Sequence, residues 1–271
     1  MGAVTHVMVN DPTAGYGLFI GNMPTPPDPR RSAKAENPSF PNGAFHATIL
    51  SESDNRNFAE NAAERIDEMK LEETVRRMHN GQLYYCTSPE LLETQMQNRE
   101  LLYAYNHSRP SQEEERQALL RKMFAEIGEN CFIEPPFHAN WGGRHVHFGH
   151  DVYANFNLTL VDDTHIYVGS HVLFGPNVTL SAGTHPIHPE LRRNQAQYNL
   201  PIRNGDNVWI GAGTVVLPGV TIGENTVIGA GSVVTKDIPA NSVAVGAPCR
   251  VLREISEEDY QFYEKTRPID L

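Results

Sequence analysis

Between Asn207 and Val251 the apolar positions recur every six residues. Val208, Thr214, Val220, Thr226, Ser232 and Ile238 form one register; Ile210, Val216, Ile222, Ile228, Val234 and Ala240 form the other. A helix repeats about every 3.6 residues and a strand about every 2, so a period of six is neither alone. It marks very short parallel strands with a corner after each, three of which close a coil of about 18 residues. Inward positions then stack on themselves from coil to coil, which suits Val, Ile, Thr and Ala. Gly211, Gly223 and Gly229 each follow a member of the second register, at corners where a Cβ would restrict the backbone. The pattern predicts a mainly β fold, a parallel β-helix of hexapeptide repeats.

The same spacing begins more loosely from Ile133. Val146, Val152 and Leu158 are six apart, as are Phe148, Ala154 and Leu160. Asp162-Asp163-Thr164-His165 shifts the register, which resumes with Ile166, Val172 and Val178 beside Val168, Phe174 and Leu180. Gly183 to Arg203 abandons the repeat, so this stretch is expected to project from the solenoid as a loop, where function often resides. Upstream the period is helical. Phe58, Ala62, Ile66, Met69, Leu71, Val75 and Met78 lead to a stop at Asn80-Gly81. A second helix starts at Ser88-Pro89 and carries Leu91, Leu92, Leu101, Leu102 and Tyr105. A third opens on the capping box Ser111 with Glu114, continues through Leu119, Leu120, Met123, Phe124 and Ile127, and ends at Gly128. The divisions expected are a low-order, Pro- and Asn-rich extension over 1–57, a helical segment over 58–128, and the β-helix over 129–255 with its loop at 183–203. A tail over 256–271 follows, with ISEEDYQFYEK as a short helix covering the open end of the solenoid.

Composition narrows the function classes. The 271 residues carry a net charge of −11, which argues against general nucleic-acid binding or a polybasic membrane anchor. No apolar run reaches the roughly 20 residues that span a bilayer. The N-terminus lacks the basic start and apolar core of a secretory signal, and Thr5-His6 continues its Met-Gly start poorly as a myristoylation site. Cys86, Cys131 and Cys249 form neither a disulfide framework nor a zinc spacing. A reduced, cytoplasmic protein is expected.

Histidines are the first candidates for chemistry, because imidazole changes protonation near neutrality and ligates metals. His138, His145, His147, His150, His165 and His171 fall on or near the early coils, where surface or corner packing is the expected role of any one of them; His185 and His188 fall in the loop. His185 stands where the loop leaves the coil, stiffened by Pro186, as a base meeting a substrate between neighbouring solenoids would be placed. Asn155 is one step from inward Ala154 and so offers an amide that both donates and accepts. Asp162 and Asp163 occupy the register break, either as a solvated turn or as a substrate contact. Lys236, Arg250 and Arg253 are the cations of the terminal coils, and in so acidic a chain they are candidates for phosphate contacts.

The motifs YNHSRPSQEEE (Tyr105–Glu115), IEPPF (Ile133–Phe137), YANFNLTLVDD (Tyr153–Asp163), GTHPIHPELR (Gly183–Arg192), NVWIGAGTVVLPGVTIG and VVTKDIPANSVAVGAPCRV occur in this order. Together they resemble the galactoside and maltose O-acetyltransferases of the hexapeptide-repeat acyltransferase family, from about Leu71 to the end. The resemblance implies a left-handed parallel β-helix, a homotrimer with active sites between subunits, and acetyl-CoA as co-substrate. It implies His185 as catalytic base, with Asn155 and Asp163 near the acceptor and Asn140 where the family often has serine. It implies acetyl-CoA along the terminal coils, contacted by Ala212, Ala230, Thr235, Lys236, Arg250 and Arg253. Many relatives carry an acceptor-binding Asp just after the stretch matching Gly81-Gln82-Leu83-Tyr84, where this chain has Cys86-Thr87-Ser88.

Acyl transfer to a hydroxyl needs a base for the hydroxyl proton and donors for the carbonyl oxygen. His185 and backbone N–H groups near Gly211-Ala212 meet that need. No Cys or Ser adjoins His185 in sequence, which favours direct attack in a ternary complex, and no metal is expected in the reaction. The competing readings are a metal-dependent hydratase of the carbonic-anhydrase type on the same scaffold, using histidines such as His145, His147 and His150, and a non-catalytic trimerisation module.

Overall fold

The computed structural model describes residues 71–86, 88–264 and 266–270, so the predicted extension over 1–57 and the helical spacing from Phe58 to Met69 lie outside it. Short strands lie on three faces. The first face holds Glu126–Ile127, Val146–Phe148, Ile166–Val168, Ile202–Asn204 and Thr221–Ile222. The second holds Phe132–Ile133, Tyr153–Ala154, Leu173–Phe174, Trp209–Ile210, Val227–Ile228 and Ser242–Val245. His138–Ala139, Thr159–Val161, Thr179–Ser181, Val215–Val216 and Val233–Val234 make the third. Each of these strands pairs in parallel with its counterpart one coil away. The chain therefore winds as a parallel β-helix, visiting the faces in turn.

The six-residue period becomes columns of buried side chains. Ile133, Ala154, Phe174, Ile210 and Ile228 stack on the second face, and Ala139, Leu160, Leu180, Val216 and Val234 on the third. Each large aliphatic side chain so enclosed stabilises the solenoid by about 1.5–3 kcal/mol relative to exposure. Glycine is required where coils touch at corners: a Cβ on Gly211 would come within 2.5 Å of the Ala230 nitrogen. Asparagine serves other corners. Asn207, Asn225 and Asn241 adopt left-handed backbone angles, and their amides form a ladder at 3.1 and 2.9 Å from coil to coil. One expected inward position fails. Ala240 is exposed, because Ile238 bridges to Ile222 and Ala244 pairs with Ile228 sixteen residues on, where Ile228 follows Ile210 by eighteen. The last corner is two residues short.

Among the described residues three helices precede the solenoid: α1 (Leu71–Asn80), α2 (Pro89–Asn106) and α3 (Glu113–Met123). The first stops at Gly81, whose φ of 81° suits only glycine without strain. In α2 the Ser88 hydroxyl accepts from the Leu91 N–H at 3.5 Å, and Leu91, Leu102 and Tyr105 are buried, while Leu92 faces solvent. The third helix departs from expectation at both ends. Gln112, not Ser111, is its cap residue, and the Gln112 side chain accepts from the Arg109 N–H at 2.7 Å. It ends at Phe124 rather than Gly128, because Glu126 and Ile127 pair with His147 and Phe148 and open the first face.

The end of the chain also differs. After the last coil, Arg250–Glu254 folds back antiparallel on Ser242–Val245, satisfying the backbone of an otherwise open edge. The expected terminal helix shrinks to Glu258–Gln261, all exposed, and a small antiparallel pair, Phe262–Glu264 with Arg267–Pro268, follows. No helix among the described residues is long and apolar enough to cross a membrane.

Candidate active site

The register break at Asp162-Asp163 is an internal clamp, not a solvated turn. Asp162 is fully buried and accepts from the Trp141 N–H at 2.6 Å and the Gly143 N–H at 3.0 Å. Burial pushes its pKa up to about 7, against the pull of those two donors. Asp163, also buried, accepts at one oxygen from the Asn140 amide at 2.8 Å and the Trp141 indole N–H at 3.2 Å. Its pKa is raised by burial, while those two donors oppose the rise. Its other oxygen faces Gly183, where a Cβ would come within 2.6 Å of it. Glycine at this position lets the outgoing loop pass directly over the carboxylate.

That loop is an arm with its own pairing. Gly183–Thr184 runs antiparallel to Tyr198–Asn199, and a one-turn helix, α4 (Pro189–Arg193), forms its tip. Across the arm, His185 Nδ1 meets the Ala196 carbonyl at 2.8 Å. A carbonyl only accepts, so Nδ1 carries the proton and Nε2 of the neutral ring keeps its lone pair. The ring is exposed. Tyr84, between α1 and α2, ties the arm down. Its N–H and C=O exchange hydrogen bonds with Gln197 at 3.0 and 3.1 Å, and its buried hydroxyl accepts from the side-chain amides of Asn199 and Gln197. Asn199 also donates to the Met78 carbonyl at 2.9 Å and the Asp163 carbonyl at 3.1 Å. Helix, arm and aspartate thus form one network.

A cavity of about 500 Å³ opens between these parts, lined by Arg99, His138, Asn140, Asp163, His185 and Gln197 among others. It brings together three of the expected residues, Asn140, Asp163 and His185. Asn155 is not on its wall; its side chain accepts from the Phe156 N–H at 2.8 Å. The expected acetyl-CoA contacts lie on the later coils. Ala212 and Ala230 stand one coil apart, with Gly231 N–H donating to the Ala212 carbonyl, and the N–H groups of both alanines have no partner among the described residues. Gly213 and Gly231 beside them leave open space where a Cβ would stand, so this edge is a ledge of small residues. Thr235, Lys236 and Arg250 are exposed, and among the described residues the Arg250 guanidinium meets the Cys249 carbonyl at 2.7 Å. Arg253 is engaged in a two-point ion pair with Asp259 at 2.6 and 2.7 Å.

The remaining histidines separate by role. His145 is buried with Nδ1 on the Asp162 carbonyl at 2.7 Å, and desolvation lowers its pKa to about 3. His147 bonds Glu126 at 3.0 Å and His165 at 2.9 Å. Among the described residues, His145 and His147 belong to no group placed to hold a cation. Sequence reasoning missed Tyr84, Trp141 and Asn199, which act through contacts more than 20 positions away; only the stretch Gly81–Tyr84 had drawn notice, as a motif rather than an anchor.

Known proteins resemble this chain in sequence and fold. Residues 77–128 match the family model of the maltose acetyltransferase hexapeptide capping motif, and residues 205–236 match the bacterial transferase hexapeptide of six repeats. A third match, to the SpoIVB peptidase S55 family, is confined to residues 1–24. The chain is 55% identical over 199 residues to a galactoside O-acetyltransferase of Lactococcus lactis, covering 73% of this chain and 96% of that protein. It is 50% identical over 194 residues to the galactoside O-acetyltransferase of Escherichia coli K12, covering 72% and 95%. A solved galactoside acetyltransferase in complex with coenzyme A superposes with a TM-score of 0.71 at 48% identity, covering 75% of this chain and all of that one.

Proposed function

This chain belongs to the galactoside and maltose O-acetyltransferases of the hexapeptide-repeat family, and we propose that it moves acetyl from acetyl-CoA to a hydroxyl of a sugar or similarly hydroxyl-rich acceptor. The observation that carries this reading is the His185–Ala196 hydrogen bond beside Asp163, on a wall of the cavity. It leaves the Nε2 lone pair available as a base. In the reaction Nε2 takes the acceptor's hydroxyl proton while that oxygen forms its bond to the thioester carbon. The tetrahedral intermediate then expels the CoA sulfur, which recovers the proton from His185. Asp163 lies close enough to stabilise the imidazolium that forms between these steps. A positioned base of this kind contributes about 10²–10⁴-fold in rate.

Direct attack is favoured over an acyl-enzyme because the thiols are poor nucleophiles here. Cys131 and Cys249 are buried, and desolvation raises the pKa of all three cysteines. The ledge of Ala212-Gly213 and Ala230-Gly231 suits the narrow arm of acetyl-CoA, its unpartnered N–H groups can donate to amide or thioester oxygens, and Lys236 and Arg250 supply charge for the phosphates.

The unit of function is a homotrimer with the site between subunits. Support comes from apolar side chains that a lone solenoid leaves uncovered: Tyr153, Leu173 and Trp209 form an exposed ladder on the outside of the second face, and Ile187 beside His185 is 94% exposed. Such a surface marks a protein contact. Asn155, off the cavity wall within one chain, reaches an acceptor in this arrangement from a neighbouring subunit. The test is a panel of sugars and simple alcohols with acetyl-CoA, following free thiol. Acceptor-dependent release supports the reading; release with none of them above hydrolysis overturns it.

A further inference from the structure

The corners between the first and second faces carry one residue per coil in the left-handed conformation: Asn130, Asp151, His171, Asn207, Asn225 and Asn241. Asparagine is the common solution, as its short amide tolerates those angles. Asp151 and His171 are the exceptions, they are consecutive in the column, and His150 adjoins them. The His150 Nδ1 lies 2.5 Å and the His171 Nδ1 3.8 Å from the same Asp151 oxygen, and ligand atoms of all three fall within 4.8 Å of one another. The two rings are 4.8 Å apart and edge to face. The other Asp151 oxygen is occupied by the Asn130 amide at 3.0 Å, which fixes the carboxylate with its free oxygen toward both imidazoles. That is the outer-shell contact that orients a metal-binding carboxylate. His171 N–H in turn donates to the His150 carbonyl at 2.9 Å, so the ligands sit on backbone locked between two coils.

We propose that His150, Asp151 and His171 bind one divalent transition-metal ion, two imidazole nitrogens and one carboxylate oxygen being supplied by successive coils. Donors about 2.0–2.2 Å from zinc in a tetrahedral set lie about 3.3 Å from each other, so the observed spacings, none above 4.8 Å, change by at most about 1.5 Å on binding. Nitrogen-rich donors select zinc, nickel or copper over magnesium or calcium. None of the three residues lines the cavity holding His185, so the site is separate from acetyl transfer. The half-exposed side chains leave a coordination position for water or for a ligand from a partner.

The corner column supplies the control, since Asn already occupies four of its positions. Full-length, tag-free protein stripped with EDTA is titrated with zinc chloride by calorimetry and with cobalt(II) by visible absorption. One site per chain, of about micromolar affinity or tighter, is expected in the wild type. His171→Asn and Asp151→Asn should weaken it at least about ten-fold, with the metal-free melting temperature and thiol release from acetyl-CoA unchanged. Absence of a saturable site in the wild type, or equal affinity in both variants, overturns the proposal. Because binding is read without acceptor or acetyl-CoA, failure of the acetyltransferase reading would leave this result standing, and the reverse.

Discussion

Tyr84→Phe removes a single oxygen from the network that holds the arm carrying His185. The ring is fully buried and the substitution keeps its volume, so packing is conserved. Of the two donors to that oxygen, Asn199 Nδ2 retains the Met78 and Asp163 carbonyls, whereas Gln197 Nε2 loses its one side-chain partner. An orphaned buried donor costs about 1–3 kcal/mol, and Gln197 is half-buried, so the low end of that range applies. Gln197 adjoins Ala196, whose carbonyl meets His185, and the loss therefore falls on the segment that positions the proposed base. If about 1 kcal/mol is withdrawn from the productive arrangement, kcat falls about five-fold. Nothing near the ledge of the later coils changes, so KM for acetyl-CoA should stay within about two-fold of the wild type. Steady-state kinetics with a saturating acceptor give both numbers. A variant with lowered melting temperature but unaltered kcat would refute the reasoning, because the network would then serve the fold and not the base.

Three further outcomes follow from particular residues. Asn204 stands in the first-face column between Val168 and Ile222, buried, with neither amide atom hydrogen-bonded among the described residues; Asn204→Val should stabilise the protein by about 1–3 kcal/mol, read as a raised urea midpoint, with activity intact. His145 is held neutral in the fold with its pKa lowered from 6.5 to about 3, so the wild type loses stability as pH falls from 6.5 toward 3, at about 1.4 kcal/mol per unit. Asp162, with its pKa raised, acts oppositely over part of this range but is common to both proteins, so the melting temperature of His145→Asn minus that of wild type should climb between pH 7 and pH 5; a flat difference would contradict it. Lys236→Ala and Arg250→Ala should each raise KM for acetyl-CoA about ten-fold and matter far less with a short acetyl thioester, while Arg253→Ala, whose charge is engaged by Asp259, should have the smaller effect.

The solenoid was legible because its core is periodic: each inward residue repeats the constraint of the one a coil away, so Val208 to Ile238 announces itself. Legibility failed where the period yields to a local contest. Ala240 sits at a corner shortened by two residues, and the end of α3 was lost because pairing of Ile127 with Phe148 outcompetes another helical turn. His185 stood out through its position at the exit of the arm. Its supporting cast did not, since Tyr84 meets Gln197 and Asn199 across more than a hundred residues. By spacing Asp162 and Asp163 looked alike and only the resemblance singled out Asp163; the fold separates the clamp on Trp141 and Gly143 from the carboxylate facing the arm. In the proposed trimer, Asn155 and the apolar ladder of Tyr153, Leu173 and Trp209 would meet a neighbouring chain, which no period within one chain announces.

The central claim is that His185 is the base for the acceptor hydroxyl and not part of the acetyl-CoA site. It is tested most directly by His185→Ala, with acetyl transfer and acetyl-CoA binding measured on the same preparation. The account predicts a loss of about 10²–10⁴-fold in kcat, with the dissociation constant for acetyl-CoA within about two-fold of the wild type. A folded variant that retains most of its turnover, or one that loses acetyl-CoA binding in step with activity, would contradict it.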